Sequence, residues 1–199
     1  MKNFRTNIII LTILLFFNLN SKTLANVSFE FIDNITDKAS NILSSQDTRD
    51  VKIQELIKIG ENSVDIDGIG FYTLGKHRKN LNDEQKDQFS RIFREYFLKS
   101  FSTRLIEYKE AKIVVISEDI KNEKYTIVKS KLLATSDRPE IAIDWRVYTK
   151  DPSKPLIRDL IIEGLSLART QKEEFNSIIM NNDGDINALF TNLKEFNNK

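Results

Sequence analysis

The side chains best suited to acid–base or nucleophilic chemistry are few and widely separated in this sequence. His77 is the one histidine, within the basic run KHRKN, and cysteine is absent. This composition excludes disulfides, thiolate metal sites and cysteine nucleophiles. A Ser-His-acid triad would depend on His77, and the Gly-x-Ser-x-Gly motif that positions a nucleophilic serine is missing. We therefore interpret His77 as a solvated loop residue and Ser166 as a strand-end hydroxyl that bonds to the backbone.

Asp159 and Glu163 lie four residues apart in an aliphatic segment and could form a carboxylate pair. On one strand both would point to the same face, about 13 Å apart at about 3.3 Å per residue. That separation is too large for a glycosidase pair. The favoured alternative is that each accepts from a nearby donor, Asp159 from a strand or loop partner such as Arg146 and Glu163 from the N-terminal end of a helix.

No cofactor or metal is predicted. The segment 65–68, DIDG, is similar to part of a calcium loop, but the other ligands and the final Glu are not at the required spacing. No glycine-rich loop suited to phosphate is present.

The elements that would position these residues are helices, then strands, then helices. Apolar residues at three- and four-residue spacing predict helices over 29–43, 51–59, 66–74 and 83–108, the last capped by Asn82 or Asp83. Runs of β-formers, with clear alternation around Trp145, predict strands over 111–117, 125–134, 140–149 and 156–167. Thr170 and Glu173 form a capping-box pattern for a helix over 170–180, and a last helix covers 185–196.

Short connections between consecutive strands favour an antiparallel meander. The predicted fold class is α+β: helices followed by a four-stranded twisted antiparallel sheet that forms a cup, closed by C-terminal helices. Gly164 interrupts the fourth strand and predicts a kink or bulge there.

The N-terminal residues 1–25 have the pattern of a secretory signal peptide. Lys2 and Arg5 precede a ten-residue apolar run, residues 8–17, which is too short to span a bilayer. Small residues at Thr23 and Ala25 predict cleavage before Asn26. The alternative is an uncleaved N-terminal anchor. The mature protein is predicted to be residues 26–199, a single domain exported to an envelope compartment.

The charge balance argues against a nucleic-acid partner. The whole chain carries a formal charge of +1, and three of its basic residues lie within the first 25. The remaining 27 basic and 29 acidic residues provide no basic excess to hold a phosphate backbone.

A segment near the C-terminus, residues 155–175, reads PLIRDLIIEGLSLARTQKEEF. Along this segment, Asp159 is followed by an aliphatic run, then Glu-Gly-Leu-Ser-Leu at 163–167, then a polar stretch and finally Phe175. This order resembles the signature of the MlaC or toluene-tolerance auxiliary-component family. The LGK at 74–76, Phe89 with Phe93, a later Tyr108 and the GDINAL at 184–189 extend the resemblance.

The resemblance implies a periplasmic phospholipid carrier without catalytic activity. Its implied partners are an inner-membrane ABC-type lipid transporter with a substrate-binding ring protein, and an outer-membrane lipoprotein complex. Pro155 and Arg158 stand where many members have Trp and Tyr, which is closer to a branch with hopanoid-associated members. The lipid is therefore a phospholipid or a related membrane lipid, and the protein is expected to be a monomer.

A carrier needs an apolar cavity, since each buried CH₂ contributes about 0.8 kcal/mol. An apolar stripe too wide for one neighbouring helix suggests that the long helix lines such a cavity, although these residues are also typical of a core. The predicted lining residues are Phe89, Phe93, Phe97, Phe101, Ile127, Ile143, Trp145, Val147, Ile161 and Leu165.

Two further hypotheses remain open at this stage. One is a small cup-shaped enzyme with Asp144, Asp159 or Glu163 as its base, which requires a buried carboxylate of raised pKa inside the cavity. The other is an envelope scaffold with a filled core, which requires that no cavity be large enough for acyl chains.

Overall fold

The computed structural model describes residues 26–108 and 112–199, so the predicted signal peptide and Ala111 lie outside the described residues. Four helices and a short 3₁₀ helix come first: α1 Val27–Ser44, α2 Arg49–Ser63, α3 Ile66–Thr73, the 3₁₀ helix Gly75–Asn80 and α4 Asp83–Leu105. Five strands follow: β1 Ile113–Asn122, β2 Tyr125–Leu132, β3 Ile141–Tyr148, β4 Leu156–Ile162 and β5 Leu165–Ser166. Helices α5 Leu167–Met180 and α6 Ile186–Asn198 close the chain. The predicted α+β class is confirmed.

The strands form one sheet in the order β1-β2-β3-β4-β5, and each pairs antiparallel with the next. The prediction of an antiparallel meander is therefore confirmed. The prediction of one strand over 156–167 is wrong, because Glu163 and Gly164 both have positive φ, 49° and 80°. Two consecutive residues of positive φ make the tight turn of a type I′ hairpin, which reverses the chain between β4 and β5.

The helix after this hairpin starts three residues earlier than predicted. Ser166 is its N-cap, and the Ser166 hydroxyl accepts a hydrogen bond of 3.1 Å from the amide of Arg169. Thr170, the predicted cap, lies inside α5, where its hydroxyl donates to the carbonyl of Ser166 at 3.1 Å. A capping serine followed directly by helix satisfies the first free amides and leaves no loop between strand and helix.

One face of the sheet carries most of its buried residues. Val128, Ser130, Ile143, Trp145 and Val147 share one face, as their cross-strand pairing shows, and all five are buried. Helix α1 contacts β1 and β2, and α3 contacts β4. The buried face therefore carries the core between the sheet and the helices.

The long helix α4 packs mainly on other helices, namely α2, α3 and α6. It begins with a capping box in which the side chains of Asn82 and Gln85 accept from each other's backbone amides. Asn82, one of the two predicted caps, is therefore the N-cap. A Cβ at Gly70 of α3 would lie 2.7 Å from the ring of Phe93. Glycine at this position therefore allows α3 and α4 to approach closely. No helix among residues 26–108 and 112–199 is both long and apolar enough to cross a membrane.

Candidate functional site

An open cleft of about 820 Å³ lies between α1 and α2. Phe31, Ile35 and Ile42 line it from α1, and Ile59 faces them from α2. The turn between β3 and β4, residues 152–155, closes one end with two prolines. This volume is within the usual range of about 300–1,000 Å³ for small-molecule sites.

The walls of the cleft combine an apolar strip with exposed charges. Ile35 and Ile59 are half-buried, whereas Lys38 and Lys58 on the same two helices are exposed. Lys58 forms an ion pair of 2.6 Å with Glu55, which also lines the cleft. Glu30 also lines the cleft, so the two lysines are balanced by two glutamates, and the apolar strip between the helices is the part that can shelter hydrocarbon.

Helix α1 can form both a core contact and a cleft wall because it carries two apolar strips. Ser28, Ile32, Thr36 and Leu43 are buried along one side. Phe31, Ile35, Lys38 and Ile42 follow at spacings of four, three and four residues, which places them together on the adjacent side. The width of the apolar surface on α1 is the sequence signal that could have located the cleft.

The four predicted phenylalanines of α4 lie within the helical layer. Phe89 and Phe93 are almost fully buried, with ring centroids 5.4 Å apart, and Phe93 meets Phe175 of α5 edge to face at 6.1 Å. Phe97 and Phe101 are half-buried and stacked at 5.9 Å. These rings form a continuous aromatic ladder along α4, and none of them borders the cleft as the described residues outline it.

Three predicted lining residues of the sheet lie on the face that α1 covers. Ile143 and Trp145 are each 8% exposed and Val147 is fully buried. The indole nitrogen of Trp145 donates to the hydroxyl of Ser130 at 2.8 Å, and that hydroxyl donates to the carbonyl of Ile143 at 3.0 Å. The polar atom of the tryptophan is thus satisfied, and its ring presents an apolar surface beneath the helices.

The structure does not bring the remaining three predicted residues to that surface. Ile127 pairs with Arg146, and Ile161 pairs with Asp144, so both lie on the opposite face of the sheet. Leu165 lies in the β4–β5 hairpin and is 54% exposed. The ten residues therefore do not surround one cavity in this conformation, and their role in lipid binding stays a prediction.

Asp159, one of the possible bases, has its acceptors occupied. Its carboxylate is buried and accepts from the hydroxyl of Ser166 at 2.6 Å and from the amide of Ala168 at 3.0 Å. The guanidinium of Arg146 lies 3.6 Å from this carboxylate, so the predicted pairing of Asp159 with Arg146 is present. These contacts join β3, β4 and the N-terminus of α5.

Glu163 does not have the role predicted for it. It lies in the hairpin turn and accepts from the amide of Ala142 on β3 at 2.5 Å, whereas Asp159 is the carboxylate at a helix start. The turn also separates Glu163 from the strand that carries Asp159, so the two carboxylates do not share a strand face. His77 lies in the 3₁₀ helix, with its Nε2 3.0 Å from the side-chain oxygen of Asn176.

A cluster around Arg158 fixes the start of α3 to the sheet. The guanidinium stacks 3.6 Å from the ring centre of Tyr148 and bonds to the hydroxyl of Tyr125 at 2.8 Å and to Asp65 at 2.5 Å. Burial works to lower the pKa of Arg158, but the hydrogen bonds and charges of Tyr125 and Asp65 outweigh it and raise that pKa. Asp65 is also the N-cap of α3, so one carboxylate holds both a helix start and a strand.

In the part of the chain that the structure describes, no group of His, Asp and Glu side chains is placed to hold a metal ion. The structure thus defines an α+β domain with an apolar cleft between two helices and a separate, closely packed core.

The comparisons with known proteins agree with this architecture. The MlaC protein family model matches residues 26–195, and the chain belongs to this family. Among solved structures, a phospholipid-binding protein from Ralstonia solanacearum in complex with a phospholipid has the same fold, with a TM-score of 0.69 and 19% identity. The match covers 84% of this chain and 95% of that one. A search of curated proteins gives no match.

Proposed function

We propose that this protein is a periplasmic carrier that binds a phospholipid by burying its acyl chains and moves it between the two membranes. The observation that supports this most directly is the apolar cleft between α1 and α2 in a member of the MlaC family. The related fold from Ralstonia solanacearum, solved with a phospholipid, supports the same class of ligand.

In this proposal the acyl chains enter between α1 and α2, against Phe31, Ile35 and Ile59. Each CH₂ removed from water contributes about 0.8 kcal/mol, so a long acyl chain can drive binding without a dedicated polar site. The phosphate stays in water at the edge of the cleft, near the exposed amine of Lys38. Further insertion moves α1 away from the sheet and brings the chains against Ile143, Trp145 and Val147.

The carrier would act as a monomer and as a soluble component of an ABC-type lipid transport system. Its partners would be the inner-membrane transporter with its substrate-binding ring protein and an outer-membrane lipoprotein complex. The protein would not be an enzyme, and the hydrogen bonds already accepted by Asp159 support this. It would need no cofactor or metal.

Native mass spectrometry of the protein purified gently from the periplasm tests the proposal, together with extraction of any bound lipid. A glycerophospholipid at about one per protein is the expected result, and a hopanoid would keep the carrier and change its cargo. A protein that is empty and takes up no lipid from vesicles, even beside its transporter, would overturn the carrier and favour the scaffold.

A further inference from the structure

Helix α1 is capped by a side chain of the sheet instead of by its own N-cap residue. The side chain of Asn26 makes no capping bond. Glu118 on β1 takes its place: one carboxylate oxygen accepts from the amide of Asn26 at 2.7 Å and the other accepts from the amide of Phe29 at 2.9 Å. A carboxylate at this position also complements the positive end of the helix dipole.

Asn26 is also the residue at which the processed chain is predicted to begin, and the match to the MlaC family begins at the same position. Cleavage after Ala25 converts the nitrogen of Asn26 from a peptide amide to an amino group. A free α-amino group has an ordinary pKa of about 7.7–8.0 and is mostly charged at neutral pH. Glu118 would then face an ammonium ion.

The backbone of Asn26 gives a second reason to connect this residue with processing. Its φ is 93°, in the left-handed region, which asparagine tolerates better than most residues other than glycine. This torsion is defined by the carbonyl carbon of residue 25. Removal of the preceding residues therefore removes that conformational restriction from the start of α1.

We infer that cleavage after Ala25 creates an ion pair between the new amino terminus at Asn26 and the carboxylate of Glu118, and that this pair fastens α1 to β1 in the processed protein. Before cleavage the same atoms form only a neutral amide-to-carboxylate hydrogen bond. Among the other charged groups nearby in the chain, Glu30 lies in the first turn of α1, and Asp119 and Lys121 of β1 pair with each other.

The position of this ion pair connects processing to the cleft. Helix α1 forms one cleft wall, and its other end is held to α2 by the amine of Lys52, which donates to the carbonyl of Leu43 at 2.9 Å. The ion pair would therefore hold the N-terminal end of α1 against β1, in the position seen in this structure. Its effect on lipid release rests on the proposed function, whereas the ion pair itself does not.

A double-mutant cycle tests the ion pair directly. One chain begins at Asn26. The other begins at Thr23, so that three natural residues precede Asn26 and the charged amino terminus lies farther from Glu118. Each chain is made with Glu118 and with Glu118→Gln. Intact mass confirms each terminus. With Glu118 present, we expect the Asn26 chain to have a folding equilibrium constant about 1.5- to 5-fold larger than that of the Thr23 chain. Glu118→Gln should remove most of this advantage and leave only the part that comes from releasing the φ restriction at Asn26.

Salt provides a measurement that needs no substitution. The difference between the two natural-sequence chains should shrink in 1 M NaCl, because the ion pair is partly exposed and is screened. Glu123→Gln, in the turn directly after the same strand, is the matched control and should leave the difference intact. Equal stability of the two chains, or the same difference with Glu118→Gln, would overturn the inference.

The lipid consequence is measured separately, from the rate at which a fluorescent phospholipid leaves the protein for acceptor vesicles. We expect the Asn26 chain to release it more slowly than the Thr23 chain. If no lipid binds at all, the proposed function fails while the stability cycle still tests the ion pair.

Discussion

The buried carboxylate of Asp159 accepts a hydrogen bond of 2.6 Å from the hydroxyl of Ser166, across the hairpin that separates β4 from α5. The amide of Ala168 donates to the other carboxylate oxygen at 3.0 Å. The carboxylate that could have served as a base in a pocket is thus a junction between the sheet and the C-terminal helices. These contacts stabilise the packing of the sheet against the C-terminal helices.

Replacing Asp159 with alanine should therefore lower the free energy of unfolding strongly. The hydroxyl of Ser166 and the amide of Ala168 would lose a charged acceptor in a buried position, at a cost of about 3 kcal/mol. Urea denaturation measures the loss. Asp144→Ala, on the neighbouring strand and only half-buried, is the control and should cost less than about 1 kcal/mol. Equal losses for the two variants would contradict this role.

A charge placed in the cleft should weaken lipid binding without unfolding the domain. Ile59→Glu puts a carboxylate against the site proposed for acyl chains, and desolvating it should reduce phospholipid uptake at least about tenfold. Transfer of a fluorescent phospholipid from vesicles is the measurement. Val51→Glu lies on the same helix, outside the cleft, at a residue 47% exposed, and should bind normally. Normal uptake by Ile59→Glu would place the lipid elsewhere.

The contact between α3 and α4 should be sensitive to one added methyl group. Gly70→Ala places a Cβ 2.7 Å from the ring of Phe93, which is held between Phe89 and Phe175. We expect a loss of about 1–3 kcal/mol, although alanine is the better helix former.

Chemical denaturation of two companion variants checks the cause of that loss. At Gly60 the nearest atom to an added Cβ is the flexible end of Leu98, at 3.0 Å, so Gly60→Ala should cost less. Adding Phe93→Leu to Gly70→Ala should restore part of the stability. A double variant that loses the sum of the two single effects would argue against the steric cause.

The raised pKa of Tyr96 leads us to expect a loss of stability at high pH. Burial, together with the charge of Glu174, raises the pKa of Tyr96 above its usual value, although the hydrogen bond to Gln171 at 3.0 Å opposes this. A raised folded-state pKa means that stability is complete below about pH 10 and falls as pH rises from there through the folded pKa. Tyr96→Phe should remove this component, so the stability difference between the two proteins should change between pH 9 and 11. A constant difference would contradict the assignment.

The order of elements could be predicted from the sequence because the periodicities are strong and the connections short. The error at the fourth strand arose where the aliphatic run continues through the turn, so that hydrophobicity masks the reversal at Glu163 and Gly164. The early helix start has the same origin. A helix boundary is usually recognised in a sequence by a polar loop before the helix. Here the capping residue Ser166 is itself the last strand residue, so no such loop is present.

The candidate site was harder to predict because a sequence shows which residues are apolar but not which neighbours fill the space beside them. Phe89 and Phe93 carry the pattern expected of a cavity wall, yet α3, α5 and α6 surround them. Ile35 and Ile59 carry a weaker pattern and border open space. The sheet faces could have been separated better, because alternation along β2 and β3 already divides Ile127 from Trp145 once their register is known.

The tie between Glu118 and the start of α1 has a consequence for folding. Every strand pairs with its neighbour in sequence, so the sheet can form hairpin by hairpin through short loops. Helix α1 is joined to β1 across 89 to 92 residues and must wait for that strand. Although it is synthesised before the strands, we expect it to dock late. Because α1 contributes no strand to the sheet, its detachment should leave every strand pair in register. We expect the amides of α1 to exchange with solvent through local opening, well below the free energy of global unfolding.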